Sequence, residues 1–378
     1  MPEIPGLLTI WTNSLVRIAL IASLALAAGC DSAHIVRVAV PDLGFSAEPF
    51  LIVEAKDGGI FMAVETIPAT LLKLKDDGSI EWKFEESQNN GGATISMVTA
   101  LPDGGALVCG GRRSRPPDRE VLPGFVIRLD SHGKEISRLD PLVPGFVGKS
   151  FYETDTCAQW GDGFVISAME STEEARSNIK PFDAYKNNRI VVSRLSPSLS
   201  ITWIKPIQIR GLGITPFMPP REMANGDLLF PSEGDIFLLD GQGTVKVQAR
   251  MGPCSWLHTR EPDKLKFVCT DLDVGTEARI VEYDLNLNEI SSTQLSGAYG
   301  WPSVAELPTG YLAVFGEPNS SGPPIVSYDQ LGRELNRYTL PRGDPRGLIV
   351  SSLHDEIVVA QAAVRNGHLV PKLIWLNH

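Results

Sequence analysis

Apolar segments of four to six residues, separated by short polar turns, follow one another along the chain after residue 45. Each turn contains Asp-Gly, Asn-Gly or a related pair, and such pairs supply the positive φ angles that tight hairpins require. The pattern therefore predicts strands joined by hairpins. The copies are DGGIFMAV from residue 57, DGGALVCGG from 103, GDGFVISA from 161, NGDLLF from 225, PDKLKFV from 262, PTGYLAVFG from 308 and HDEIVVA from 354.

A second landmark recurs with the same period of about 45 residues, the length of one four-stranded propeller blade. In it, a strand ends in Leu/Tyr-Asp or a variant, and a short turn leads to another strand. One further strand lies between the landmarks, for example around residues 95–101. The copies are LLKLKDDGSIEW from residue 71, FVIRLDSHGKEI from 125, VVSRLSPSLSITW from 191, IFLLDGQGTVKV from 236, IVEYDLNLNEI from 280 and IVSYDQLGREL from 325; a last one, KLIWLNH from 372, stops at the chain end.

These repeats predict an all-β fold, a single seven-bladed β-propeller with four-stranded blades over residues 34–378. The seventh unit lacks its outermost strand, and the segment IVRVAV from residue 35 belongs to no unit. Letting this N-terminal strand complete the last blade removes two exposed strand edges and closes the ring. The alternative is that the strand only fringes the first blade. Residues 171–188 could hold a short helical turn.

The N-terminal segment has the pattern of an export signal. Residues 18–28 read IALIASLALAA, preceded by Arg17, and this apolar run is too short for a transmembrane helix. Leu26-Ala27-Ala28-Gly29-Cys30 resembles the bacterial lipobox, which implies a signal peptide over residues 1–29, lipidation of Cys30 and a short tether over residues 30–33. An ordinary cleaved signal is the alternative. The resemblance places the chain in the cell envelope, anchored to the inner or the outer membrane.

Composition excludes one class of partner. The chain has 34 basic and 45 acidic residues, a net charge of -11, so its average field repels a phosphate backbone and nucleic acid is not expected. The blade motifs resemble those of bacterial quinoprotein-like and delta-60-type propellers. That resemblance implies the fold, whereas function varies widely among such propellers.

Four cysteines remain after Cys30, and an even number in an oxidising compartment indicates disulfides. Cys254 and Cys269 lie symmetrically about a predicted turn and would face each other across a hairpin. Cys109 and Cys157 fall on strands of adjacent units, so this pair would join two blades. Free buried thiols are the alternative for all four.

No sequence pattern indicates catalysis, a metal or a cofactor. The six histidines form no H-x-H or H-E-x-x-H arrangement, and no G-x-S-x-G elbow or phosphate-binding glycine loop occurs. His258 is predicted on an inner strand, where it lines the axial channel or serves as an ordinary structural residue. Trp82 is expected to pack between blades.

Two surfaces are candidates for binding. Aromatic residues recur where one unit passes to the next, among them Tyr152, Phe217, Trp256 and Trp301, and rings at a channel mouth can stack on sugars or clasp a peptide. Plugging of the hub is the alternative. The loop between residues 112 and 119 carries a basic patch that could bind a carboxylate-bearing partner, or simply be solvated. Its arginines are Arg112, Arg113, Arg115 and Arg119.

The chain is therefore expected to be a membrane-anchored binding or scaffold protein of the envelope, without enzymatic activity, that holds a protein or a glycan through loops of units two to four and the channel mouth. Insertions in these units are expected to lengthen loops at the faces of the propeller, where binding sites are commonly carried. One alternative is an envelope lyase or hydrolase with its active site in the central funnel. Another is a purely structural role, resembling the scaffold lipoprotein of outer-membrane protein insertion.

Overall fold

The computed structural model describes residues 35–86, 91–114, 121–140, 154–170, 189–208, 219–232, 234–252, 254–257, 265–270, 277–299, 303–314, 324–339, 344–353, 356–365 and 368–376. Within these ranges the chain forms 28 strands and no helix. The strands make seven four-stranded antiparallel sheets, arranged as a seven-bladed β-propeller. The predicted fold class is confirmed.

Each of the first four blades is built from consecutive strands, running from the innermost to the outermost. Blade 1 contains Glu48–Glu54 (β2), Ile60–Glu65 (β3), Ala69–Leu74 (β4) and Ile80–Glu86 (β5). Blade 2 contains Gly91–Ala100 (β6), Ala106–Ser114 (β7), Val121–Leu129 (β8) and Glu135–Leu139 (β9). Blade 3 contains Thr154–Trp160 (β10), Gly163–Glu170 (β11), Arg189–Leu195 (β12) and Ile201–Gln208 (β13). Blade 4 contains Arg221–Glu222 (β14), Leu228–Ser232 (β15), Gly234–Leu239 (β16) and Val245–Gly252 (β17).

The last three blades follow the same order, except for the outer strand of blade 7. Blade 5 contains Cys254–Trp256 (β18), Leu265–Cys269 (β19), Glu277–Tyr283 (β20) and Glu289–Tyr299 (β21). Blade 6 contains Ser303–Leu307 (β22), Gly310–Val314 (β23), Pro324–Asp329 (β24) and Glu334–Thr339 (β25). Blade 7 contains Asp344–Leu353 (β26), Glu356–Arg365 (β27), His368–Leu376 (β28) and, outermost, Ile35–Ala39 (β1).

Blade 7 is thus completed by the N-terminal strand. β1 pairs antiparallel with β28, with Ile35 opposite Leu376 and Ala39 opposite Leu373. The Arg37 guanidinium also lies 4.0 Å from the centre of the Trp375 ring. The predicted ring closure is confirmed, and the alternative in which this strand fringes the first blade is wrong, because blade 1 already has four strands of its own.

Connections leave the blades at two distinct ends. In blades 1 to 6, the first and second strands, and the third and fourth, are joined at one end, which we call the turn end. In blade 7 the first and second strands are joined there, whereas the third and fourth, β28 and β1, are paired but not connected in sequence. The second and third strands are joined at the opposite end, where the chain also passes to the next blade; we call it the loop end. In blade 1, for example, Glu54 pairs with Ile60 beside the turn end, whereas Glu48 pairs with Glu65 at the loop end.

An aspartate closes most turns between the third and fourth strands. Its carboxylate accepts the backbone N–H groups of the residues two and four positions later, as at Asp130 from His132 and Lys134. A hydrogen bond from the residue four positions on holds the pKa of each such carboxyl below its usual value. These pairs are Asp130 with Lys134, Asp240 with Thr244, Asp284 with Asn288, and Asp329 with Arg333.

The same turns place one residue at positive φ. Glycine occupies this position in four of them, but the structure has Leu199 at +63° and Leu287 at +61° in blades 3 and 5. Both leucines are buried, so their side chains pack in the core while their backbones adopt a conformation that glycine favours. The four glycines are Gly78, Gly133, Gly243 and Gly332.

Each glycine turn packs on the outer strand of the preceding blade. The Trp82 ring of β5 covers Gly133 of blade 2, and its indole N–H donates to the Ser131 carbonyl at 2.8 Å. Trp203 of β13 covers Gly243 of blade 4 in the same way. The prediction that Trp82 packs between blades is confirmed. Because only glycine leaves room for these rings, the turn residues help to set the spacing of the blades.

The Gly133→Ala variant tests this contact. A Cβ at position 133 would lie 2.6 Å from the Trp82 ring, in addition to its positive φ of +77°. We expect a loss of about 2 to 4 kcal/mol in the free energy of unfolding, from backbone strain and overpacking together. Urea denaturation followed by tryptophan fluorescence measures it.

The matched control is Gly226→Ala, since Gly226 has a similar φ of +81° but nothing within 4 Å of the added atom. Only the backbone cost of about 1 to 2 kcal/mol is expected there. Equal losses in the two variants would show that the Trp82 contact does not set the packing of blade 1 on blade 2.

Candidate functional site

The longest connections of the chain lie at the loop end of blades 2, 3 and 4. Residues 140–153 join blade 2 to blade 3, residues 171–188 join the second and third strands of blade 3, and residues 209–220 join blade 3 to blade 4. At the turn end, no connection is longer than residues 257–264. Most of each long connection falls outside the described residues, as does the helical turn predicted for 171–188. The described ends of the flanking strands nevertheless show that all three connections leave the blades at the loop end.

The basic patch begins on a hairpin rather than in a loop. β7 extends to Ser114, and Arg112 and Arg113 pair with Leu122 and Val121 of β8. The prediction that both arginines belong to a loop is therefore wrong, because the hairpin ladder continues to their positions. Arg115 and Arg119 lie in the connection 115–120, outside the described residues. The hairpin delivers this connection to the loop end of blade 2.

Of the aromatic candidates, one lies within the described residues. Trp256 lies on β18, the innermost strand of blade 5, directly opposite Phe267. The described part of this strand region ends at Leu257, whose N–H donates to the Lys266 carbonyl at 3.1 Å. The remaining candidates lie outside the described residues: Cys30, Tyr152, Phe217, His258 and Trp301.

A charged network supports the start of the connection 140–153. The Glu86 side chain is 1% exposed, and both of its carboxylate oxygens accept hydrogen bonds from the Arg138 guanidinium, at 2.9 and 2.8 Å. Arg138 also donates to Glu135 and to Asp140, the first residue of the long connection. Glu135 and Glu86 hold the pKa of Arg138 above its usual value. Because Glu86 ends β5 and Arg138 lies on β9, the network ties blade 1 to blade 2.

A disulfide ties blade 2 to blade 3. It joins Cys109 of β7 to Cys157 of β10, with Cα atoms 6.1 Å apart. Beside it, the Thr99 hydroxyl donates to the Cys157 carbonyl at 2.6 Å. A second disulfide, Cys254–Cys269, spans directly opposed residues of β18 and β19 within blade 5. The first bond and the Glu86 network together hold three successive blades beneath the long connections.

Charged side chains at the turn end are largely engaged within the fold. Lys73, whose side chain is 2% exposed, binds Asp57 and lies 3.6 Å from Glu81. Lys266 of blade 5 pairs with Glu306 of blade 6. Such carboxylates serve folding, because their oxygens already accept hydrogen bonds. Within the described ranges, no three His, Cys, Asp or Glu side chains are grouped as a metal site would require.

None of the described segments forms a helix of the length and apolar character needed to cross a membrane.

Comparison with known proteins shows a fold and no family. No protein-family model and no curated protein matches the chain. Among solved structures, the Neurospora crassa Pan2 WD40 domain is similar with a TM-score of 0.55 and 12% identity, over 91% of this chain and 95% of that one. BamB from Moraxella catarrhalis is similar with a TM-score of 0.45 and 11% identity, over 91% of this chain and 100% of that one. The WD40 likeness supports the β-propeller fold and nothing beyond it.

The Glu86→Gln variant tests whether the charged network supports the site. It leaves Arg138 without its best-buried partner charge, so we expect the free energy of unfolding to fall by about 2 to 3 kcal/mol. Glu135→Gln is the control, since Glu135 lies at the surface and its removal should cost at most about 1 kcal/mol. Urea titrations of both variants give the comparison. A loss for Glu86→Gln no larger than that of the control would contradict a structural role for the buried carboxylate.

Proposed function

We propose that this chain is a lipid-anchored binding or scaffold protein of the cell envelope, which holds a protein or a glycan at the loop end of blades 2 to 4. The observation that carries the proposal is the difference in length between the connections at the two ends of the propeller. The turn-end connections that the structure describes are short and closed by hydrogen-bonded turns, whereas residues 140–153, 171–188 and 209–220 all leave from adjacent positions at the loop end. A binding surface built from long loops on a rigid frame has this arrangement.

The frame beneath these connections is reinforced. The Cys109–Cys157 bond and the Glu86–Arg138 pair link blades 1, 2 and 3, and Arg138 also binds Asp140, the first residue of the connection 140–153. A fixed base limits the conformational entropy that loops lose when they close on a partner, which favours affinity. The reinforcement therefore suits a surface that captures another molecule.

The chemistry of the partner is proposed from the basic patch. Arg112, Arg113, Arg115 and Arg119 lie in or beside one hairpin connection of a chain whose net charge is -11. Guanidinium groups bind carboxylates through paired hydrogen bonds, so a carboxylate-bearing protein segment or an acidic glycan is the expected ligand. The aromatic positions Tyr152 and Phe217 fall in the neighbouring connections 140–153 and 209–220, where rings would add stacking contacts.

The anchor is proposed from the sequence around Cys30. Leu26-Ala27-Ala28-Gly29 before the cysteine supports processing of the chain there and acylation of the new N-terminus. Two or three acyl chains would give firm membrane attachment, because each buried methylene contributes about 0.8 kcal/mol.

Shortening the connection 115–120 tests the binding site. β7 and β8 remain paired up to Arg113 and Val121, so an Asn-Gly turn can close this hairpin without disturbing the blade. We expect the variant to lose its partner in cross-linking of the native envelope, read by mass spectrometry as a linked peptide or a glycan adduct. Its thermal unfolding should stay cooperative.

The matched control shortens residues 315–323, the connection between β23 and β24 at the loop end of blade 6, by the same length. Capture should be unchanged in this control. Unchanged capture in the 115–120 variant, or equal loss in both variants, would remove the binding site from blades 2 to 4.

A further inference from the structure

The N-terminal strand starts at the turn end of the propeller. Ile35 lies opposite Leu376, the last residue of β28, and β28 begins at His368, which pairs with Arg365 at the loop end. Because β1 is antiparallel to β28, it runs from the turn end towards the loop end. The chain before Ile35 therefore reaches the propeller from the turn end of blade 7.

The segment between the lipidation site and β1 is short. Five peptide units separate Cys30 from Ile35, and a fully extended chain spans at most about 3.6 Å per residue, which gives a reach of about 18 Å. The loop end of blade 7 lies eight residues along β28, or roughly 26 Å from Leu376 at about 3.3 Å per residue. An anchor at Cys30 therefore cannot hold the propeller with its loop end on the bilayer and its turn end facing away.

Two exposed leucines lie at the same end of the molecule. Leu285 is 57% exposed in the turn after β20, and Leu331 is 69% exposed in the turn after β24. These turns belong to blades 5 and 6, the two blades that precede blade 7. The carboxylates beside them, Asp284 and Asp329, are engaged by backbone N–H groups of their own turns. Both leucine side chains are thus exposed at the turn end, the end at which β1 begins.

We propose that the turn end rests on the bilayer that holds the Cys30 lipid, with Leu285 and Leu331 in contact with its headgroup region, and that the loop end faces away from this membrane. The inference rests on the proposed lipidation of Cys30. Transfer of leucine side chains from water to the apolar boundary of the membrane lowers the free energy. The two leucines therefore favour this orientation over one in which the propeller lies on its side. The partner surface of blades 2 to 4 then points into the aqueous space.

Two label positions at opposite ends of β4 measure the orientation. Lys75 is exposed at the turn end and Ile67, 79% exposed, at the loop end of the same blade. Lys75→Cys and Ile67→Cys each add one free thiol, since Cys30 is acylated and the other four cysteines form disulfides. Each lipidated variant is labelled with a fluorophore and reconstituted into phosphatidylcholine vesicles that carry a nitroxide on their headgroups. Val38→Cys, on the outer face of β1, reports an orientation with blade 7 against the membrane.

We expect quenching to be several-fold stronger at position 75 than at position 67, with position 38 between them. A flexible insertion of about 20 Gly/Ser residues before His34, which spans about 25 Å on average, should remove most of this difference. The double variant Leu285→Gln/Leu331→Gln should weaken quenching at position 75, whereas Val364→Gln, at an equally exposed loop-end position, should not.

Three results would overturn the inference. Equal quenching at positions 75 and 67, or the strongest quenching at position 38, would contradict the orientation while leaving lipid anchoring intact. A difference that persists with the long insertion would show that the tether does not set the orientation. Vesicle flotation separates these results from failure of the anchor. If the parent protein carries no lipid and does not float, or if the Cys30→Ala variant floats as well as the parent, lipidation of Cys30 itself is rejected.

Discussion

The pairing of β1 with β28 is the interaction on which the rest of the structure depends. Without it, blade 7 would have three strands, and an unpaired edge would remain on β28. The same strand also connects the two ends of the ring, because Ala39 and Trp375 pack on Gly78 of blade 1. Backbone hydrogen bonding continues this connection at the loop end, where the Ala47 N–H donates to the Leu369 carbonyl at 2.7 Å. Closure therefore joins blade 7 to blade 1 at both ends of the sheet.

The turn end and the loop end of the closed ring differ in their connections and in their contacts. At the turn end, aspartates accept backbone N–H groups, glycines admit the ring of a preceding blade, and ion pairs such as Lys73–Asp57 engage the charges. At the loop end, blades 2 to 4 carry the long connections, and one of them, residues 140–153, leads into β10, which the Cys109–Cys157 disulfide joins to blade 2. The first end maintains the ring and, in our proposal, rests on a membrane. The second carries the binding surface in the same proposal.

The fold was predictable from the sequence because every blade repeats the same local signals. Asp-Gly and Asn-Gly turns, an apolar run and a Leu/Tyr-Asp turn specify a hairpin whatever its neighbours, and the missing strand after residue 376 identified the role of IVRVAV. Trp82 and the two cysteine pairs were suggested by their places within this repeat. The positive φ of Leu199 and Leu287 was harder to predict from the sequence. The only indication is that both leucines occupy the turn position that glycine holds in other blades.

The candidate site was less predictable because it depends on contacts between residues far apart in the sequence and on long connections that the blade repeat does not specify. Glu86 and Arg138 are 52 residues apart in the sequence, so only the packing of blade 1 on blade 2 shows that they meet. Arg112 and Arg113 read as loop residues because the apolar pattern of β7 ends before them, although the ladder continues. The end of the propeller at which β1 begins likewise follows from the register of β1 on β28.

Native-state hydrogen exchange of β1 tests ring closure most directly. If the strand is an integral part of blade 7, amides within Ile35–Ala39 that bond to β28 should exchange only when the whole blade opens, with the same free energy and denaturant dependence as those of Glu356–Arg365 in β27. Rapid exchange of the β1 amides, with the seven blades still protected, would show that the ring is stable without its N-terminal strand and would contradict closure as the basis of the fold.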